Sequence, residues 1–339
     1  NDVIMVEGDM ERLSAKGSFV GRHILSPKPG VAVHINAYNF PCWGMLEKIA
    51  PSLAAGMPVI VKPATPSAYL TEAMVREMIG GGFFPEGAIQ LICGSAGDLL
   101  DHLMEQDVVT FTGSASTGQK LRTHPNIVAN SIPFTMEADS LNCAILGQTV
   151  SADDEEFAIF IKEVAKEMTT KAGQKCTAIR RVIVPSAMVD TVAEALKARL
   201  ASAVLGDPSV EGVRMGPLVG RDQARDVQAK VDTLAGECDV LLGGGGDFAI
   251  EGCDNSGGAF YPATLLHCDD PFTKLRVHEV EAFGPVSTLM PYDTLDDAMA
   301  IARLGKGSLT GSVYTYDDDE ARQVILGTAP YHGRMLVLN

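Results

Sequence analysis

The chain has 339 residues, of which 46% are hydrophobic and 21% charged, and its formal net charge is -16. This composition is typical of a globular protein large enough for two domains, and it disfavours nucleic acid and anionic membranes as partners. Seven scattered cysteines predict reduced thiols and a cytoplasmic location. No apolar run is long enough for a membrane helix, and no cysteine or histidine group has metal-ligand spacing, so no metal is expected.

The first 146 residues alternate between short β-rich runs and helical stretches. One helix is predicted from about Ser67 to Ile79, and Gly80 is its expected stop. The runs that read as strands are 31–35, 59–61, 89–92, 108–111 and 143–146. Strands joined by helices predict a mostly parallel, doubly wound sheet, which binds ligands at the carboxyl ends of its strands.

A second α/β region is predicted to begin near residue 147. Its first helix opens at Ser151 with a capping-box pattern, and its buried face is predicted to hold Phe157, Phe160, Ile161, Val164 and Met168. The later elements are 182–184, a helix over about 188–200, 240–242 and 313–316. The four glycines at 243–246 are followed by no Lys-Ser/Thr and no helix start, so we interpret them as a surface turn. The prediction is therefore two α/β domains, 1–146 and 147–339.

Cys176 is the candidate nucleophile. It lies in Lys171-Ala172-Gly173-Gln174-Lys175-Cys176, after an amphipathic helix and before a β-branched run. The two lysines add positive potential, which favours the reactive thiolate. The alternative is an inert packed thiol, which is the commoner role of a cysteine. Glu137, just past an apolar stretch, is a candidate general base.

A candidate nucleotide site lies where the strand 108–111 ends in Thr112-Gly113-Ser114-Ala115-Ser116-Thr117-Gly118. A strand, a glycine turn and a helix start together present backbone N–H groups and the positive end of a helix dipole to an anion. Lys62 ends another strand and can reach a ribose hydroxyl or a phosphate. Its alternative role is an ordinary solvated lysine.

These segments, taken in chain order from about Gly30 to Asn339, resemble the aldehyde dehydrogenase superfamily. The matching motifs are Asn36-Ala37-Tyr38-Asn39-Phe40-Pro41, Val61-Lys62-Pro63, Phe111-Thr112-Gly113-Ser114, Glu137, Gly173-Gln174-Lys175-Cys176 and Glu281-Ala282-Phe283-Gly284-Pro285-Val286. The resemblance implies a Rossmann-like cofactor domain followed by a catalytic domain. It also implies that the family's N-terminal quarter and its last segment are missing, so we expect the fold to be truncated at both ends.

The resemblance assigns a role to each matching residue. Cys176 would attack the aldehyde, Glu137 would activate water, and Asn39 with the Cys176 backbone N–H would bind the oxyanion. The residues that it assigns to cofactor binding are Lys62, Thr65, Gly94, Gly113, Ser114, Thr117, Glu281 and Phe283. The expected substrate is a small aldehyde, and the expected assembly is a homodimer or a dimer-based oligomer.

One motif departs from the family pattern, and this departure narrows the range of expected substrates. Where the family usually has Glu-Leu-Gly-Gly-Lys, this chain has Glu137-Ala138-Asp139-Ser140-Leu141-Asn142. The variant resembles a branch that includes dehydrogenases of ring-opened CoA thioesters in the aerobic breakdown of aromatic compounds, so a CoA-linked semialdehyde is the expected substrate. Three alternatives stay open: an acylating enzyme that releases its product to CoA, a non-catalytic relative, and a parent chain with a fused further domain.

Thr65 determines the predicted cofactor. NAD-preferring members of the family usually carry a glutamate three residues after the strand-end lysine, where it accepts hydrogen bonds from the ribose 2′-OH and repels a 2′-phosphate. Thr65 stands at that position here and carries no opposing charge. We therefore predict that NADP is preferred and NAD is used less well. Alternatively, Thr65 only caps the helix that begins near Ser67.

Overall fold

The computed structural model describes residues 5–256 and 258–339. The chain divides into two compact units, Asn1–Ala138 and Asp139–Asn339, which we describe separately.

The first unit contains a two-stranded hairpin and a five-stranded sheet with its helices. Its strands are β1 (Met5–Arg12), β2 (Val20–Leu25), β3 (Ala32–Ile35), β4 (Val59–Lys62), β5 (Ile89–Leu91), β6 (Val108–Thr112) and β7 (Phe134–Glu137). Its helices are α1 (Trp43–Ala54), α2 (Ala68–Gly80), α3 (Ala115–Arg122) and α4 (Pro125–Ala129), with short 3-10 turns at Thr65–Ser67 and Leu99–His102. The hairpin pairs β1 with β2 antiparallel.

The five-stranded sheet is parallel throughout and has the order β5-β4-β3-β6-β7. The chain therefore winds outwards in one direction from β3 and then in the other from β6, which matches five of the six strands of the classic Rossmann order. Consecutive residues of β3 face opposite cores: Ala32 packs in one apolar cluster and Val33 in the other. Because both faces of this sheet are buried, its polar groups are expected at the ends of the strands.

The second unit is built on a seven-stranded sheet. Its strands are β8 (Cys143–Leu146), β9 (Arg181–Pro185), β10 (Asp239–Leu242), β11 (Thr264–His267), β12 (Val286–Tyr292), β13 (Ser308–Tyr314) and β14 (His332–Leu338). Its helices are α5 (Glu155–Thr169), α6 (Val189–Ala201), α7 (Arg221–Ala235), α8 (Leu295–Arg303) and α9 (Asp318–Thr328). Short 3-10 turns lie at Thr170–Gly173, Ser186–Met188, Leu275–His278 and Ala329–Tyr331.

This sheet has the order β10-β11-β12-β9-β8-β13-β14, and only the edge pair β10–β11 is antiparallel. It also separates two cores, because Ala144 packs in one cluster and Cys143 in the other. Helix α5 covers one face, where the ring of Phe160 meets the ring of Tyr314 edge-on, with 5.0 Å between centroids. The two α/β sheets confirm the predicted fold class.

Two details differ from the sequence prediction. The strand 143–146, expected in the first domain, pairs with β9 and β13 of the second sheet, so the division falls before this strand rather than after it. Helix α5 begins at Glu155, not at Ser151. The Asp154 carboxylate accepts hydrogen bonds from the backbone N–H and the hydroxyl of Ser151, which closes a turn ahead of the helix. The predicted buried face of α5 is confirmed.

Neither a membrane helix nor a metal cluster is found in the described ranges. No helix within 5–256 or 258–339 has the length and apolar character needed to span a bilayer. Over the same residues, no three His, Cys, Asp or Glu side chains lie close enough together to hold a metal ion.

Candidate active site

The turn that precedes Cys176 is wound in a left-handed conformation. After α5 the chain passes through Lys171, Ala172 and Gly173, whose φ angles are 54°, 51° and 68°. Two successive non-glycine residues with positive φ are costly, and such strain persists only where the surrounding structure enforces it. Gly173 cannot carry a side chain here, because a Cβ would overlap the backbone of Gly284 and lie 2.8 Å from the Cα of Pro285.

Two buried amide side chains hold this nucleophile turn, residues 171–176. The Gln174 side chain donates from Nε2 to the Lys171 carbonyl oxygen at 2.9 Å, and its Oε1 accepts from the backbone N–H of Val219 at 2.9 Å. The Asn142 amide donates to the carbonyl oxygen of Cys176 at 2.8 Å. The backbone on both sides of the thiol is therefore held by the protein interior.

Arg180 connects the nucleophile turn to the segment 281–284. Its Nε donates to Glu281 Oε1 at 3.2 Å, and its Nη1 donates to the Gly284 carbonyl oxygen at 2.7 Å. Its Nη2 donates to the carbonyl oxygens of Gly173 at 2.8 Å and Lys175 at 3.4 Å. Only the planar fork of a guanidinium presents donors in these several directions at once. Arg180 thus fixes the turn and the carboxylate to one rigid group.

Glu281 is buried at the same place, with 4% of its surface exposed. Burial raises the pKa of its carboxyl group, and the charge of Arg180 opposes that rise. Its second oxygen accepts a hydrogen bond from the backbone N–H of Ser140 at 3.1 Å. The neighbouring Phe283 ring lies 5.3 Å from the Arg180 guanidinium carbon, a cation–π contact. Each Glu281 oxygen keeps a lone pair for a further donor.

Cys176 interacts electrostatically with Lys171. It is half-buried, and its charge acts to raise the pKa of Lys171, which burial and Lys175 lower. The sequence assigned the same electrostatic role to Lys175. In the structure Lys175 Nζ pairs with Glu167 Oε1 at 2.6 Å, and its charge still acts on Lys171. Burial raises the pKa of the Cys143 thiol, which makes that cysteine a poor nucleophile.

In the first unit, the carboxyl edge of the five-stranded sheet gathers the other predicted site residues. Lys62 ends β4 and lies opposite Ile35 of β3. Gly113 and Ser114 follow β6, and Ser114 caps α3 by accepting from the backbone N–H of Thr117. Gly94 follows β5 with φ 122°, and a Cβ built there would meet nothing within 4 Å. Parallel strand ends and a helix start at one edge are features that dinucleotide-binding sites share.

Unsatisfied polar atoms at this edge fit a bound cofactor. Asn36 is 4% exposed, and neither polar atom of its side chain makes a hydrogen bond to a described residue. The buried hydroxyl of Thr112 also makes no hydrogen bond among these residues. These residues follow Ile35 and Phe111, which pair directly between β3 and β6, at the point where the strand order reverses. Buried polar groups normally have partners, so the edge is built to meet a polar ligand. The residues present therefore fit the nicotinamide dinucleotide that the resemblance implies.

The remaining first-unit residues lie at or near the same edge. Glu137 is the last residue of β7, half-buried, and its carbonyl oxygen accepts from the backbone N–H of Gly113 at 3.2 Å. Asn39 is half-buried in the segment after β3. Burial lowers the pKa of Lys62, whose Nζ donates to the Pro63 carbonyl oxygen at 3.0 Å. Thr65 is exposed and begins a 3-10 turn, and Ser67 holds the N-cap position of α2 without a side-chain capping hydrogen bond.

The predicted residues thus form one group in each unit: Cys176, Glu281 and Phe283 in the second, and all the others in the first. Sequence reasoning missed Arg180, Asn142 and Asn36. The signal for Arg180 was two adjacent arginines directly before a strand that reads as buried, because a charge at such a position needs partners. Asn142 and Asn36 lie within motifs quoted above, but nothing in the sequence assigned either amide a role.

Comparisons with known proteins match most of the chain. The sequence profile of the aldehyde dehydrogenase family matches residues 7–328. The chain is 47% identical over 333 residues to 3,4-dehydroadipyl-CoA semialdehyde dehydrogenase of Aromatoleum evansii, covering 98% of this chain and 65% of the relative. It is 29% identical over 304 residues to lactaldehyde dehydrogenase of Escherichia coli, covering 88% of this chain and 60% of that protein.

Among solved structures, the chain resembles a double mutant of betaine aldehyde dehydrogenase from Staphylococcus aureus in complex with NAD+. The TM-score is 0.85 at 27% identity, and the match covers 97% of this chain and 64% of that one. The chain spans less than two thirds of the length of each of these three relatives.

Proposed function

Because the chain belongs to the aldehyde dehydrogenase family, we propose that it oxidises an aldehyde to a carboxylic acid with a nicotinamide dinucleotide. The observation that carries this proposal is the strained left-handed turn that presents a half-buried Cys176 beside Lys171. The substrate proposed is a CoA-linked semialdehyde from the cleavage of an aromatic ring. The name of the relative that is 47% identical supports this substrate class.

The proposed chemistry uses the side chains of this chain in sequence. The Cys176 thiolate attacks the aldehyde carbon, and the Asn39 amide and the Cys176 N–H donate hydrogen bonds to the oxyanion of the thiohemiacetal. The bound nicotinamide would supply a hydride acceptor, and loss of that hydride converts the thiohemiacetal into a thioester on Cys176. Glu137 then removes a proton from water, which attacks the thioester carbonyl and releases the acid and the Cys176 thiol. Overall, aldehyde, water and oxidised cofactor become acid, reduced cofactor and a proton.

Cofactor binding is proposed for the residues at the strand ends. Ser114 and Thr117 lie at the start of α3, where the positive end of the helix dipole favours a phosphate, and Lys62 adds a positive charge. Gly94, with no side chain, lets the dinucleotide approach the backbone. For Glu281 and Phe283 we propose contacts to the nicotinamide ribose.

The test is the formation of reduced cofactor from a CoA-linked semialdehyde, with and without added free CoA. We expect product in the absence of free CoA, as the acid, and no increase when CoA is added. An absolute requirement for free CoA would establish the acylating alternative, and no reduced cofactor with any aldehyde would establish a non-catalytic relative. The presence of Glu137 favours release by water, because transfer to a thiol has less need of a base.

Glu137→Gln is expected to separate the two chemical steps. Without the carboxylate the thioester forms at a near-normal rate but its hydrolysis slows about a hundredfold, so stopped-flow traces show a burst of reduced cofactor before slow turnover. Asp139→Asn, two residues further, is the matched control and should behave as wild type. Unchanged turnover without a burst in Glu137→Gln, together with a burst in the control, would transfer the role to Asp139.

Thr65→Glu is expected to change the preferred cofactor. We propose that the wild type prefers NADP, because the exposed Thr65 hydroxyl can donate to a 2′-phosphate and Lys62 adds attraction. A glutamate would repel that phosphate, so the ratio of kcat/KM for NADP to that for NAD should fall about tenfold to a hundredfold. Thr65→Gln, of equal size without charge, should move the ratio far less. A wild-type ratio that favours NAD by tenfold would contradict the proposal.

The assembly and the cellular location stay predictions: a homodimer or a dimer-based oligomer, in the cytoplasm.

A further inference from the structure

A groove of about 450 Å³ lies between the last turns of α5 and α6 and the loop that follows α6. Four basic side chains line it: Lys162 and Lys166 from α5, Arg199 from α6, and Arg214 from the loop. Thr170, the first residue after α5, adds a hydroxyl. We call this feature the basic groove. Its volume falls within the range of small-molecule sites.

Three of these four cations have no acidic partner among the described residues. Lys166 pairs with Glu163 at 2.9 Å, which neutralises part of its charge. The side chains of Lys162, Arg199 and Arg214 make no ion pair or hydrogen bond to any residue in 5–256 or 258–339. In a chain of net charge -16, uncompensated positive charge concentrated in one concave site raises the local concentration of anions.

Helix stabilisation does not account for the whole cluster. A cation in the last turn of a helix favours the helix dipole, which explains Lys166 on α5 and Arg199 on α6. Arg214 lies on a loop, and Lys162 is two turns before the end of α5. The basic side chains reach the same groove from two helices and a loop. This arrangement is typical of a site for a polyanion and not of two separate helix caps.

We propose that the basic groove binds the phosphorylated nucleotide end of a CoA thioester, the 3′-phosphate and the diphosphate of its ADP part. Arginine guanidinium groups bind phosphates in a bidentate way, and lysines add point charges. This inference rests on the proposed function, since it identifies where a CoA-linked aldehyde is recognised.

The groove is directly connected to the nucleophile turn. Thr170 is the residue before Lys171, where the left-handed conformation begins. The last turn of α5 also contacts the turn through the ion pair of Glu167 with Lys175. A ligand held at this end of α5 by its phosphates would project its long, flexible pantetheine arm past these residues. The aldehyde carbon, at the far end of that arm, could then approach Cys176.

The experiment compares the wild type with Arg199→Gln/Arg214→Gln and with a control, Arg225→Gln/Arg276→Gln. The control removes the same charge from exposed arginines of the same unit that already pair with acidic residues. Calorimetry measures the binding of acetyl-CoA and of adenosine 3′,5′-bisphosphate with NADP saturating, so that the cofactor site is filled. Kinetics compare KM for the CoA-linked semialdehyde with KM for the same aldehyde on a pantetheine thioester.

We expect the groove variant to bind both nucleotides about tenfold or more weakly and to show the same rise in KM for the CoA substrate. Its kcat and its KM for the pantetheine substrate should stay within twofold of wild type, and wild-type affinity should fall with salt. Unchanged nucleotide affinity in the groove variant, or an equal loss in the control, would overturn the proposal. Nucleotide binding that depends on the groove, with no oxidation of any CoA-linked aldehyde, would instead refute the proposed substrate and leave the groove as a CoA site.

Discussion

Cys176→Ala is expected to lower kcat by at least about a thousandfold, because no other group can form the covalent intermediate. Cofactor affinity should stay within twofold of wild type, since the residues proposed to bind the dinucleotide keep their positions. Turnover is measured by reduced-cofactor absorbance, and affinity by the fluorescence of bound NADPH.

Cys253→Ala is the matched control for this variant. It removes another accessible free thiol of the same unit, which lies outside the turn and has no proposed role, and it should keep wild-type activity. Near-normal turnover in Cys176→Ala would refute the assignment of the nucleophile, whatever the control does.

Gly173→Ala is expected to reduce kcat/KM by about a hundredfold or more, although the residue makes no chemical contribution. Its φ of 68° disfavours any side chain, and the new Cβ would overlap the Gly284 backbone that Arg180 holds. The nucleophile turn must therefore move, and a displacement of about 1 Å from the productive geometry costs about a hundredfold in rate. Steady-state kinetics and a thermal unfolding curve are measured on the same preparation.

Gly246→Ala is the control that separates the effect of steric overlap from the effect of backbone strain. Gly246 has a φ of 80°, close to that of Gly173, but a Cβ there would meet nothing within 4 Å. Both variants should lose a similar amount of stability from the positive φ, about 1 kcal/mol. Only Gly173→Ala should lose activity. Equal kinetics in the two variants would mean that the turn next to Gly284 does not position the thiol.

The sequence predicted the architecture well because the pattern that specifies it is local. Runs such as 59–61 and 182–184 read as strands buried on both faces, and the structure places them inside two parallel sheets. The boundary between the two units was harder to predict from the sequence. Strand 143–146 has the same composition whichever sheet it joins, and only its pairing with β9 and β13 assigns it to the second.

A motif is enough to predict a candidate site residue, but the sequence does not reveal a residue that acts through long-range contacts. Cys176 and its glycine turn are recognisable from six consecutive letters. Arg180 is not, because its role depends on Glu281 and Gly284, about a hundred positions later in the chain. Lys175 also has a partner that the sequence did not indicate, because it forms an ion pair with Glu167 on the preceding helix.

The most direct measurement of the central claim is the mass of the peptide that contains Cys176 after a single turnover. The Glu137→Gln enzyme with bound NADP, whose slowed hydrolysis lets the thioester accumulate, is mixed with the CoA-linked semialdehyde and quenched in acid within the first turnover. We predict an acyl adduct on Cys176, formed at the same rate as reduced cofactor and absent from the other six cysteines. Reduced cofactor formed without any adduct on Cys176 would contradict the role of Cys176 as nucleophile.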